Sequence, residues 1–184
     1  MATPLIDAVM MKDLHKVIEA LNAGADINEQ DTMQMTPLHL AAQYDLTTII
    51  DLLLNRNADI AAQNILGAKP LHMAALRGSV ATVALLLNRG ASINVEDNHR
   101  GTPLHCAAIY PGTADVISLL INAGASPGAK DNDGYTPLYL AAKHQHLEKA
   151  ARLILVTAED AATAELLHNN FNPAELAAAI ASHQ

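Results

Sequence analysis

Thr36-Pro37-Leu38-His39-Leu40-Ala41-Ala42 is a phrase that the chain repeats. It returns as KPLHMAA from Lys69, TPLHCAA from Thr102 and TPLYLAA from Thr136. The prolines are Pro37, Pro70, Pro103 and Pro137, so the steps are 33, 33 and 34 residues. A second phrase keeps the same beat: AGADIN from Ala23, RNADIA from Arg56, RGASIN from Arg89 and AGASPG from Ala123. A fixed period in this range predicts stacked supersecondary units rather than one closed core. Such a stack offers a long surface and few deep pockets, which turns the functional question toward binding.

Each unit has a physical reading. Thr before Pro caps a helix start, and Pro at the first helical position loses no hydrogen bond. Leu38, Ala41 and Ala42 then share one narrow apolar face. The paired alanines let a neighbouring helix come close. After a turn, with Gly78 and Gly112 in two units, an apolar run such as Ile49, Ile50, Leu52, Leu53 and Leu54 predicts a second, antiparallel helix. It ends at Gly24, Gly90 or Gly124, with Asn57 in that role in the second unit, where the backbone must turn left-handed. The polar segment that follows projects as a turn or hairpin before the next Pro.

These residues resemble the ankyrin repeat. The family pattern runs D-x-x-G-x-T-P-L-H-x-A-A, a Gly, two aliphatic pairs, then G-A-D-x-N. Asp31, Thr36, Pro37, Leu38, His39, Ala41, Ala42, Ala58 and Asp59 match it in the second unit. Asp131, Gly134, Thr136, Pro137, Leu138, Ala141 and Ala142 match it in the fifth. Departures are Gln34 and Arg100 for the hairpin Gly, Lys69 for the capping Thr, Tyr139 for the His, and an insertion at Pro111. The resemblance implies an all-α solenoid of about five helix-turn-helix units with hairpin loops. We expect repeats over about 1–30, 31–63, 64–96, 97–130 and 131–158, forming a single domain with C-terminal capping helices over 159–184. Thr3-Pro4-Leu5 opens a first unit with polar Asp7, Lys12 and Asp13 toward water. Thr157 to Asp160 reads as a helix start. Asn172-Pro173-Ala174-Glu175 reads as a capping box that opens a closing half-repeat.

Composition sets limits. The 184 residues are 51% hydrophobic, mostly Ala and Leu, and only 3% aromatic. Net charge is −8, and no run of Lys or Arg exists. This argues against nucleic acid or an anionic membrane surface as partner. No stretch approaches the roughly 20 apolar residues of a membrane span. The first residues lack the basic and apolar regions of a secretory signal. We expect a cytoplasmic protein; delivery into a host cell by a route without a cleavable signal stays open. The single Cys106 sits in the inner-helix phrase and is expected to be a buried, inert thiol.

The search for chemistry finds little. His39, His72 and His105 recur once per unit, and by resemblance their rings bond the Thr hydroxyl and nearby backbone, as scaffold. His144-x-His146 places two rings off a common helix face, with no third ligand near in sequence. Asp131, Asp133 and Gly134 echo part of a calcium loop, but Ala129 and Leu140 stand where carboxylates belong. Gly124, Gly128 and Lys130 lack phosphate-loop spacing. We expect no catalytic residue, no metal and no cofactor. An enzyme built from scattered residues is the least supported of three readings.

The first reading is a protein-binding module: adaptor, inhibitor or effector-like. The resemblance implies a concave face made by hairpin tips and inner-helix ends. The repeat positions assign Met33, Met35, Ile65, Leu66, His99 and Tyr135 to the hairpins, and Tyr44, Leu76, Arg77, Ile109, Tyr110, Lys143 and His144 to the helix ends. Tyr and Arg are favoured interface anchors, and Met suits adaptable ones. Against this, Ile65, Leu66 and Ile109 could simply pack against neighbouring units. The partner is expected to be another protein, met by a monomer, and the acidic balance implies that association with a basic partner would slow as salt rises. The second reading is a homo-oligomeric assembly component using the same face.

Overall fold

The computed structural model describes residues 4–110, 114–156 and 161–182. Each Thr-Pro or Lys-Pro opens an inner helix: α3 (Pro37–Gln43), α5 (Pro70–Arg77), α7 (Pro103–Ile109) and α9 (Pro137–Lys143), after α1 (Pro4–Met10) in the first unit. The residue before each Pro is extended, with φ −87° and ψ 165° at Thr36. Thr36 Oγ1 accepts the His39 N–H, and Thr136 Oγ1 accepts the Tyr139 N–H at 3.2 Å. Lys69 makes no such side-chain cap yet holds the same backbone, φ −102° and ψ 166°. Pro at the next position fixes that geometry without the hydroxyl.

Outer helices answer them: α2 (Leu14–Asn22), α4 (Thr47–Asn55), α6 (Val80–Asn88), α8 (Asp115–Asn122) and α10 (Leu147–Ile154). The inner helices pack in sequence, α1 on α3, α3 on α5, α5 on α7 and α7 on α9, and the outer helices do likewise. Ala41, Ala42, Ala74, Ala75, Ala107, Ala108, Ala141 and Ala142 are all buried, so adjacent inner helices meet across methyl groups. Leu38, Leu71, Leu104 and Leu138 fill one core row; Leu53, Leu86, Leu120 and Leu153 fill the outer one. At the C-terminal end α11 (Ala161–Asn170) packs on α9 and α12 (Pro173–Ala181) on α10. Asn172 Oδ1 caps α12 through the Ala174 N–H at 2.9 Å. The helix start read at Thr157 to Asp160 lies outside the described residues, as do Gly112 and Pro111. Among the described residues there is no strand, and no helix is long and apolar enough to cross a membrane.

Hairpin turns need a left-handed residue, supplied by Gly67 and Gly134 at φ 73° and 80°. Gln34 and Arg100 take the same conformation at φ 58° and 59°, so the two departures from Gly keep the turn. Such residues accept strain of roughly 1–2 kcal/mol each. Gly67 has no such latitude: a Cβ there would lie 2.9 Å from the Asn98 backbone nitrogen.

The histidines join one unit to the next. Nδ1 of His39 accepts the Thr36 N–H at 3.2 Å, and Nε2 meets the Ala68 carbonyl at 2.9 Å. His72 does the same with the Lys69 N–H (3.1 Å) and the Gly101 carbonyl (3.0 Å). His105 repeats it with the Thr102 N–H (3.1 Å) and the Tyr135 carbonyl (3.1 Å). With Nδ1 accepting, the proton sits on Nε2, and the ring is neutral. Burial holds all three below the ordinary imidazole range, with the carbonyl bonds opposing it.

Two predictions follow from this packing. Leu53→Ala or Leu86→Ala, each at a position with 0% exposure, should cost about 2–5 kcal/mol in denaturant unfolding. A loss below about 1 kcal/mol would contradict the core row. The histidines give a pH dependence. Their folded-state pKa lies below the unfolded value of about 6.5, so the unfolded chain binds more protons and stability falls as pH drops through about 6.5. The melting temperature should decline from about pH 7.5 to 5.5, and His72→Gln should flatten that slope while lowering the plateau. A flat wild-type profile over this window would count against the neutral-histidine relay.

Candidate protein-binding face

The hairpins are built alike. Asp31 Oδ1 accepts the N–H groups of Met33 and Met35, both at 2.8 Å. Asn64 serves Leu66 and Ala68 at 3.0 Å, Asp97 serves His99 and Gly101 at 2.9 and 2.8 Å, and Asp131 serves Asp133 and Tyr135 at 3.0 and 2.8 Å. One carboxylate or amide oxygen thus closes each turn. The tips are then linked: Ile65 N–H donates to the Met33 carbonyl (3.0 Å), Asn98 N–H to Leu66 (2.9 Å), and Asn132 N–H to His99 (2.9 Å). Side chains on these tips stand on a backbone that is tied along the stack.

Met33, Ile65 and Leu66 are 51%, 48% and 50% exposed on adjacent tips, and Tyr110 is 50% exposed at the end of α7. Ile65 and Leu66 are therefore not consumed by packing between units. Arg77, His99, Lys143 and His144 are also exposed. Tyr44, Leu76, Ile109 and Tyr135 are half-buried, and Tyr44, Ile109 and Tyr135 pack against the core cluster. Met35 corrects the expectation: it is buried, with Asn64 Nδ2 donating to its sulfur at 3.3 Å. The reason is register. Met35 closes its hairpin where Ala68 and Gly101, also buried, close theirs.

Aromatic and cationic groups are paired on this side. Tyr135 stacks on Tyr139 with centroids 4.2 Å apart and planes 3° from parallel. Lys143 Nζ stands 4.9 Å over the Tyr135 ring, and Lys12 Nζ 5.2 Å over the Tyr44 ring. Neither cation–ring pair nor the ring stack follows from the repeat pattern, in which Lys12 is a water-facing residue of the first unit and Tyr139 a replacement of the motif His.

Tyr110 is not a geometric repeat of Tyr44. Tyr44 has ψ 4° and His144 ψ 7°, whereas Tyr110 is extended at ψ 149°. In α3 and α9 a loop N–H closes on the Ala41 or Ala141 carbonyl, from Leu46 or His146. At the matching Ala107 carbonyl Lys149 Nζ donates at 2.6 Å, and it also donates to the Tyr110 carbonyl. His146 Nε2 lies 2.8 Å from the Ile109 carbonyl. A buried ammonium, its pKa lowered by burial, thus helps to hold the end of α7 and the backbone of Tyr110.

His144 and His146 lie with ring centroids 6.2 Å apart, and His146 already serves the Ile109 carbonyl. Cys106 is half-buried rather than fully buried, and desolvation still pushes its thiol up to about 12, far from a thiolate nucleophile at neutral pH. Among the described residues no group of three or more His, Cys, Asp or Glu is arranged to hold a metal ion.

A family model described as ankyrin repeats (three copies) matches residues 5–97, 48–131 and 95–163. No curated protein matches the chain.

Lys149→Met keeps the stem and removes the ammonium from two carbonyls. It should cost about 1.5–3 kcal/mol of stability, the range for hydrogen bonds from charged groups. An unchanged denaturation midpoint would show that these carbonyls find other donors.

Proposed function

The chain belongs to the ankyrin-repeat family, and we propose that it is a protein-binding module that engages another protein through its inner face. Ankyrin repeats generally mediate protein–protein interaction. The observation that carries the reading to this face is the set of half-exposed apolar side chains on hydrogen-bonded hairpin tips, Met33, Ile65 and Leu66, together with Tyr110, half-exposed at the end of α7. Exposed apolar groups held on a fixed backbone lose little entropy on contact, and contiguous patches of this kind mark contact sites. Arg77 adds an exposed planar donor between the repeats that carry Tyr44 and Tyr110. An adaptor, an inhibitor and a delivered effector all use such a face in the same physical way.

The test is retention of partner proteins by immobilised chain, compared across exposed-face variants. Leu66→Ala, Arg77→Ala and Tyr110→Ala should each weaken binding by about 1–3 kcal/mol, because interface energy concentrates in a few anchors. The outer-side variant Arg56→Ala should bind normally. The first two should change stability by no more than about 0.5 kcal/mol, as exposed positions do. Tyr44 is a poorer probe, since its ring packs on the core and its truncation also costs stability. Normal binding by all three, with loss in outer-helix variants, would move the working surface to the convex side. A stable oligomer in solution that dissociates on the same substitutions would turn the reading to self-assembly.

A further inference from the structure

The chain is acidic, yet its inner face is not. Of its 19 acidic residues, many lie in turns or on the outer side. Asp31, Asp97 and Asp131 each spend an oxygen on two hairpin N–H groups. Asp26 and Asp59 accept N–H groups in the turns after the outer helices. Asp51 and Asp115 are paired with Arg89 and Arg152 on the outer helices. Among the described residues at the inner-helix ends, the cations Lys12, Arg77 and Lys143 outnumber the one carboxylate, Asp45. Lys12 stands over Tyr44, Lys143 stands over Tyr135, and Arg77 is exposed between them with no ion pair among the described residues. Three carboxylates stand at the adjoining loops and tips. Asp13, next to Lys12, accepts the His15 and Lys16 N–H groups. Asp45 gives one oxygen to the hydroxyls of Ser79 and Thr82, and Asp133 is exposed at a hairpin tip.

We infer that the segment this face receives is acidic: a stretch of partner protein carrying carboxylates at intervals, with apolar side chains between them. The inference rests on the protein-binding reading and names the partner's chemistry. A cation resting on a ring is already oriented, and its outer side stays open to an acceptor. Arg77 offers a fork that takes a carboxylate in two parallel bonds. Lys12 lies just past α1, and Arg77 and Lys143 are the last residues of α5 and α9, so the cations mark every second inner helix. Neighbouring packed helices lie about 8–10 Å apart, so the cations are roughly 16–20 Å apart. An extended segment rises about 3.3 Å per residue, which spaces its carboxylates by about five or six residues. Side chains between them meet Met33, Ile65, Leu66 and Tyr110. The local charge of this face is thus opposite in sign to the net charge of the chain.

The test is selection of peptides from a random 16-residue phage-displayed library on the immobilised full chain, followed by fluorescence anisotropy of the recovered peptides. The expected result is enrichment in Asp and Glu. Arg77→Glu or Lys143→Glu should weaken these peptides about tenfold or more, as loss of a central anchor does. A peptide Glu→Lys change should restore part of the loss in Arg77→Glu. Binding should also weaken several-fold between about 0.05 and 0.3 M salt, where the screening length shortens. Melting of both variants checks that they are folded. Neutral or basic peptides that lose binding in Leu66→Ala and Tyr110→Ala would overturn the acidic inference and leave the inner face as the binding surface. Recovery of no peptide, or only of peptides indifferent to every inner-face variant, would count against both. Displacement of the acidic peptides by a 20-nucleotide single strand that binds more tightly would replace the protein segment with nucleic acid and overturn the inference.

Discussion

A single hydrogen bond, from a buried histidine Nε2–H to the carbonyl that closes the next hairpin, sets the geometry on which the stack depends. The Ala68, Gly101 and Tyr135 carbonyls each take two donors, one from their own hairpin and one from the preceding unit's His39, His72 or His105. The same rings accept a backbone N–H at Nδ1, so each is fixed at both ends. A ring fixed in this way cannot change tautomer without breaking both bonds. In a stack where each unit touches only its neighbours, such a contact transmits registry along the chain. It aligns the hairpins, and the alignment lets tip N–H groups meet tip carbonyls from Met33 to Asn132. The candidate face stands on a tied backbone because the scaffold's bond repeats.

Where the histidine is replaced, the device changes. Tyr139 stands in that position in the fifth unit, and the next described element after α10 is a helix rather than another hairpin. The Tyr139 ring lies flat on Tyr135 instead, and Lys143 covers the pair's Tyr135. A stack of two rings and a cation thus closes one end of the inner face. Stacking of this kind adds about 0.5–1.5 kcal/mol beyond area burial. It also keeps Tyr135 partly covered, which is why that ring contributes shape to the surface more than free contact area.

The repeat phrase made the fold legible. Pro starts, alanine pairs and left-handed helix ends each have one physical meaning, and Gln34, Arg100 and Asn57 show that position outranks residue type. The exposure of the candidate face was legible in outline. Ile65, Leu66, Arg77 and Tyr110 are exposed where the register put them. Met35 was misplaced because a methionine in a hairpin looks adaptable and exposed. The trace of its burial was the small residues Ala68 and Gly101 at the same position. Lys149 left a similar trace: Ile49, Thr82 and Val116 occupy its position and are buried. A lysine there is buried by register, and its ammonium must find acceptors. Those acceptors, the ends of α7, come from residues about 40 positions away, beyond what local spacing can reveal.

The sign of the inner face follows from how the acids are spent. Hairpin turns need an acceptor for two N–H groups, and Asp or Asn is the short side chain that reaches both. Asp31, Asp97 and Asp131 thus add carboxylates at the turns, while Asn64 does the same work uncharged, so much of the chain's acidity is held in turns. The helix ends are free of that demand. A cation near a helix C-terminus meets the negative end of the dipole, which favours Lys and Arg there, as at Arg77 and Lys143. Turn chemistry and helix polarity push opposite charges to opposite parts of one repeat. Net charge thus describes the sum of these parts and says little about the surface a partner meets. In the proposed binding mode the selecting charge lies at the helix ends, beside the rings that hold it in place.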